Sequence, residues 1–235
     1  MEQRVIRQLP LVELVYRDLK KRIVTGKLSP NAKLGTRELC QYYGTSDTPL
    51  KQALHRLVSE GLVEARHHRG MRVKEMTPKD IHESIEARLM IEQYAVAPSL
   101  ENVRNGGELL PRLDRSLRED EALIAEAEDL GTYSDLAQRE LEVSQEFHTL
   151  MIAATGNQLI VATYRNIVNH TYFYYQAGLN KTSQAISSLA EHKEILARLR
   201  TLDEDGLRRA IREHLRTRER AVTAAFGGRS RPGGA

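Results

Sequence analysis

The sequence predicts a mostly α-helical protein: an N-terminal winged helix-turn-helix with a small β-hairpin wing, followed by an all-α helical bundle. Three observations carry this. Residues 11 to 62 hold three runs of helical periodicity separated by glycine-bearing turns. Residues 63 to 74 alternate like short strands. From residue 77 to about 226 the apolar spacing is helical, with no convincing strand. A chain of 235 residues with 40% hydrophobic side chains is long enough for two modest domains.

The first helix reads from about Leu11 to Val24, with Val12, Val15, Leu19 and Ile23 as its stripe and Gly26 as its stop. LSPNAKLG reads as a turn. A short second helix, TRELCQYY, has Thr36 as its cap and ends at Gly44. In the third, TSDTPLKQALHRLVSEGLV, the apolar positions Leu50, Ala53, Leu54, Leu57, Val58 and Leu62 form one buried stripe. Its opposite face carries Lys51, Gln52, His55, Arg56 and Ser59. Ser46, Asp47 or Thr48 can cap it, with Pro49 in the first turn. Helix, tight turn, helix is the arrangement that lays its second helix in a DNA major groove. LVEA and MRVK then make a hairpin whose tip carries Arg66, His67, His68 and Arg69, side chains suited to phosphates or the minor groove.

TPKD at 77 to 80 matches a capping box, with Thr77 as cap, Pro78 in the first helical position and Asp80 reaching back. The expected division is residues 1–76, residues 77–226 and a disordered tail over 227–235. Breaks near Asn105–Pro111, Gly131–Ser134, Gly156–Asn157, Gly178–Ser183 and Asp203–Gly206 cut the second part into six or seven helices.

Charge divides the same way. Residues 1 to 77 carry 15 Lys/Arg against 8 Asp/Glu, while residues 78 to 235 carry 20 against 24. A basic unit of this size has the electrostatic footprint expected for a polyanion such as DNA. The longest apolar run, LMIAA, falls far short of the roughly 20 residues that span a bilayer, so no membrane segment is expected. One cysteine, Cys40, and no signal-peptide pattern point to a reducing cytoplasm.

Two constellations carry chemistry. Arg88 shares a stripe with Ile81, Ile85 and Leu89, so its guanidinium needs an anion. That anion is either Glu92 at i+4 or a ligand carboxylate held by the bidentate fork. His148 stands beside Phe147, Leu150 and Met151 on an apolar helix. His192 and His214 lie 11 positions before and after Asp203. In an antiparallel hairpin they face each other, about 16 Å from the turn. Three histidines from three helices can form a metal site with open positions.

YRDLKKRIVTGKLSPNAKLGTRELCQYYGTSDTPLKQALHRLVSEGLV and RGMRV resemble the winged-helix domain of the GntR superfamily of bacterial transcription regulators. ARLMIE, EFHTLMIAATGN, EHKEIL and EHLRTRERAV resemble the all-helical FCD effector domain of its FadR subgroup. The resemblance implies a homodimeric, ligand-responsive repressor or activator, often of genes for organic-acid or sugar-acid catabolism. It assigns DNA contacts to Arg37, Thr48, Lys51, Arg69 and Gly70. The family usually has Arg at Asp47, Arg at Lys51 and Glu at Gln52, so the operator is expected to differ. Metal-binding members use three histidines and an Asp four residues before the first. Here those positions are His148, His192, His214 and Ser144, so the histidines match and the carboxylate is lost. A divalent ion such as Zn, Ni or Mn would sit there with less charge compensation. The rival reading is a metal-dependent hydrolase using the three histidines, and a third is an architectural DNA protein without an effector.

Overall fold

The computed structural model describes residues 10–24, 26–66, 70–130, 133–169 and 182–227. Among these, α1 (Leu11–Val24), β1 (Lys33–Leu34), α2 (Thr36–Tyr43), α3 (Asp47–Ser59), β2 (Val63–Arg66) and β3 (Gly70–Val73) come first. Six helices follow: α4 (Pro78–Arg104), α5 (Leu109–Leu130), α6 (Tyr133–Ala153), α7 (Gln158–Asn169), α8 (Thr182–Arg200) and α9 (Glu204–Gly227). The chain divides into two compact units, with the division between Glu75 and Met76.

In the first unit α1 packs on α3 through Val15, Leu19 and Ile23 against Leu50, Ala53, Leu54 and Leu57, all buried. Each such side chain contributes about 1.5–3 kcal/mol. Val12 and Val58, expected in these stripes, are only partly buried. The opposite face of α3, Lys51, Gln52, His55, Arg56 and Ser59, is exposed.

Three details depart from the sequence reading. LSPNAKLG is not only a turn, because Lys33 and Leu34 pair with Arg72 and Met71 and make a three-stranded sheet of order β1-β3-β2. A two-residue strand is too short for alternation to show, and buried Leu34 is its anchor. Ser46 takes the N-cap position of α3 in extended conformation, but makes no side-chain cap bond. Gly35, not Thr36, caps α2. In the second unit the capping box forms as expected, with Thr77 Oγ1 accepting from the Asp80 backbone N–H and Asp80 accepting from that of Thr77.

The helical unit has one main core, centred on Phe147 with Val96, Leu113, Ile195, Leu199, Ile211 and Leu215. A second cluster joins Ile91 and Ala95 of α4 to Ile152 of α6 and Val161, Tyr164 and Val168 of α7. Helix α4 therefore buries two faces, and its polar residues Arg88 and Glu92 are carried into the interior with them.

Candidate nucleic-acid interface and metal centre

On the first unit Arg37, Thr48 and Lys51 are exposed. Lys51 Nζ lies 2.8 Å from Asp47, with the two side chains 54% and 62% exposed. Such a surface pair is worth about 0–1 kcal/mol, so Lys51 is easily recruited by an outside anion. Arg56, on the same helix face, is engaged differently. It bonds Glu13 at 2.7 Å and stacks 3.6 Å from the Tyr16 ring centroid, pinning α3 to α1. Gly70 opens β3 opposite Arg66 with φ +77, a left-handed backbone that strains any residue with a Cβ. Arg69, with His67 and His68, lies outside the described residues.

The helical unit brings together residues far apart in sequence. His148 of α6, His192 of α8 and His214 of α9 are 3%, 0% and 3% exposed, and each offers a ligand atom within 4.8 Å of the others. Ring centroids stand 4.9 Å apart for His148 with either partner and 4.7 Å for His192 with His214. His148 Nε2 is 3.1 Å from His192 Nε2, two nitrogens that in the absence of a metal share a proton. Burial, reinforced for His192 by His214 and His148, and for His214 by His148, pushes both well below the ordinary imidazole range. Neutral imidazole is the form that ligates a metal. Burial, nitrogen donors and mutual spacing all fit a divalent ion, and His192 Nδ1 is buried without a hydrogen-bond partner among the described residues.

Arg88 and Glu92 form the helix-internal pair, Nε to Oε1 at 3.0 Å, with side chains 7% and 3% exposed. Glu92 does more than neutralise Arg88. It accepts from Tyr164 Oη at 2.7 Å and meets His148 Nδ1 at 2.9 Å. Burial alone would raise its carboxyl, but the neighbouring His148 ring, the Arg88 guanidinium and these hydrogen bonds outweigh that and hold it well below the usual carboxylate range. On the other side of the histidines, Glu191 meets His214 Nδ1 at 2.7 Å. Ser144 stands one turn before His148 on α6 and is partly exposed.

The roles of Tyr164 and Glu191 were missed from sequence. Glu191 had a signal: it precedes Asp203 by 12 residues and His214 follows by 11, so the same hairpin symmetry that pairs the histidines pairs them too. Asp120 of α5 had one as well, standing seven residues after Leu113 and four before Ile124 on the apolar stripe of its helix. It is 1% exposed, neither carboxyl oxygen has a hydrogen-bond partner among the described residues, and burial, with Glu140 and Glu119 nearby, pushes its pKa up to about 8. The folded chain keeps a proton that an unfolded Asp, pKa about 3.9, has lost. Stability should therefore fall as pH rises from about 4 to about 8. Asp120→Asn should remove that slope and raise stability at pH 8 by several kcal/mol, about 1.4 for each unit between the two pKa values, read from denaturation midpoints across the range.

A basic winged helix-turn-helix and a helical unit with a buried polar centre together define a DNA-binding regulator with a ligand-sensing domain. The sequence matches the bacterial regulatory proteins of the gntR family over residues 11–73 and the FCD domain over residues 83–217, and the chain belongs to the GntR regulators of the FadR-like, FCD-bearing subgroup. It is similar to the HTH-type transcriptional regulator YdhC of Bacillus subtilis, 25% identical with 85% of each chain covered. It is likewise similar to McbR of Escherichia coli, 28% identical over 88% of this chain and 90% of the relative. The E. coli repressor GlaR is 26% identical over 91% and 96%. A GntR regulator from Rhodococcus sp. RHA1 shares the fold, with TM-score 0.72, 19% identity and coverage of 91% and 98%. These families and relatives are transcription regulators, not enzymes, which sets the hydrolase reading aside. No described helix is long and apolar enough to cross a membrane.

Proposed function

We propose that the protein is a homodimeric, cytoplasmic repressor that binds a two-fold symmetric operator and senses a small carboxylate or sugar acid through its helical unit, with a divalent metal in the histidine centre. The observation that carries the DNA half is the exposed polar face of α3 on a unit of net charge +7, with 15 Lys/Arg against 8 Asp/Glu. Repression follows from the similarity to the E. coli repressor GlaR. Met90 and Tyr94, one turn apart on α4 and 70% and 60% exposed, give the helical unit an apolar patch of the kind a symmetric partner copy covers. The metal half rests on the three converging imidazoles, and the effector half on the buried guanidinium of Arg88.

Gel shifts on a selected operator test the DNA half. Lys51→Ala should weaken specific binding by about 1–3 kcal/mol if the ammonium reaches a base edge. With only a phosphate contact the loss is sequence-independent and the salt slope falls by about one. Asp47→Asn should tighten binding, because it removes the carboxylate that now holds Lys51. Lys51→Ala and Arg37→Ala variants that bind as tightly as the unmodified protein would overturn the assignment. Effector and DNA affinities are coupled reciprocally, so an effector that loosens DNA must itself bind more weakly to the DNA complex.

A further inference from the structure

Each imidazole can direct only one ring nitrogen at an ion, and what the other nitrogen meets decides which one. His148 presents Nδ1 to Glu92 Oε2 at 2.9 Å and Nε2 to His192 at 3.1 Å. His214 presents Nδ1 to Glu191 Oε2 at 2.7 Å. Both carboxylates are themselves held. Glu92 accepts from Arg88 Nε and Tyr164 Oη, and Glu191 stands 3.4 Å from Arg218 Nη2. They come from different helices, α4 and α8, and stand on the outer nitrogens of two of the three rings.

We infer that Glu92 and Glu191 are the positioning carboxylates of this centre: each takes the Nδ1–H of one histidine and turns that ring's Nε2 lone pair inward. The inference rests on the metal reading above. Glu92 is not a displaced first ligand, because swinging it onto the ion would cost its bonds to Arg88, Tyr164 and His148 together.

The test uses the full chain, purified without a His-tag or chelator, and measures zinc affinity by competition with a chromophoric chelator at one fixed pH. Glu191→Gln keeps shape on a side chain 25% exposed and should weaken zinc 10- to 100-fold, the usual effect of removing an outer-shell partner. Glu92→Gln should do the same, and Glu191→Asp should recover part of the loss. Independently, long-range 1H–15N spectra of histidine-labelled, metal-free protein should show Nδ1-bound protons on His148 and His214. Failure of the wild type to take up zinc would sink the metal reading and this inference with it. Uptake of zinc equally by wild type and both Gln variants, or Nε2–H tautomers with bare Nδ1 at both rings, would overturn this inference alone.

Discussion

His192→Ala should take the protein from about one bound divalent ion per chain to none at micromolar metal. Three protein ligands with an open position are the least that holds such an ion firmly, and two imidazoles are left. The substitution sits at the centre of the cluster: His192 is fully buried, 4.7 Å from the Phe147 ring centroid, and supplies the nitrogen opposite His148 Nε2. Circular dichroism should show the helices intact, which separates loss of the ion from loss of the fold. Ser144→Asp should move affinity the other way, by adding an anionic oxygen one turn from His148. Equilibrium dialysis followed by elemental analysis, with zinc, nickel and manganese in separate arms, reads both. If the unmodified protein takes up none of the three, the histidines are hydrogen-bonding groups around an organic ligand. His192→Ala would then change only the effector response.

How far the sequence exposes this centre depends on where its partners lie along the chain. The breaks after Arg104 and Ala153 were legible because Asn105 and Gly106, and Gly156 and Asn157, stand just past those helix ends, while the break expected near Gly178–Ser183 lies mostly outside the described residues. The Arg88–Glu92 pair was legible because four residues is one helical turn. His192 and His214 were legible because a hairpin is a local fold, with register counted from Asp203. What escaped needs two helices that are not neighbours in sequence. Tyr164 is 72 residues from Glu92 and His148 is 56 from it, and nothing in periodicity says that α4, α6 and α7 share an interior. Asp120 differs: it stands seven residues after Leu113 and four before Ile124, on the apolar stripe of its own helix, so its burial was as legible as that of Arg88. The DNA-facing half divides similarly: the exposed face of α3 follows from its stripe, whereas the engagement of Arg56 with Glu13 and Tyr16 depends on how α1 crosses it.

Arg88→Ala should destabilise the helical unit by about 3–5 kcal/mol, because removing one partner of a buried pair leaves the other charge uncompensated. Glu92 would keep Tyr164 and His148 but lose the guanidinium at 3.0 Å. Arg88→Lys separates this bracing role from the proposed effector role. Lysine retains the positive charge beside Glu92, so the variant should fold, at a cost of about 1 kcal/mol for the poorer hydrogen bond. What it cannot retain is the planar fork, whose five N–H donors can serve Glu92 and a second carboxylate at once. A thermal-shift screen of carboxylates, sugar acids and amino acids, with and without metal, should raise the melting temperature of the wild type with at least one compound. The same compound should leave Arg88→Lys unmoved, its affinity lower by about tenfold or more for the loss of a charge-assisted hydrogen bond. An equal shift in the two proteins would mean that the fork of Arg88 does not grip the ligand. Its work would then be confined to holding Glu92, and through Glu92 the ring of His148, in place.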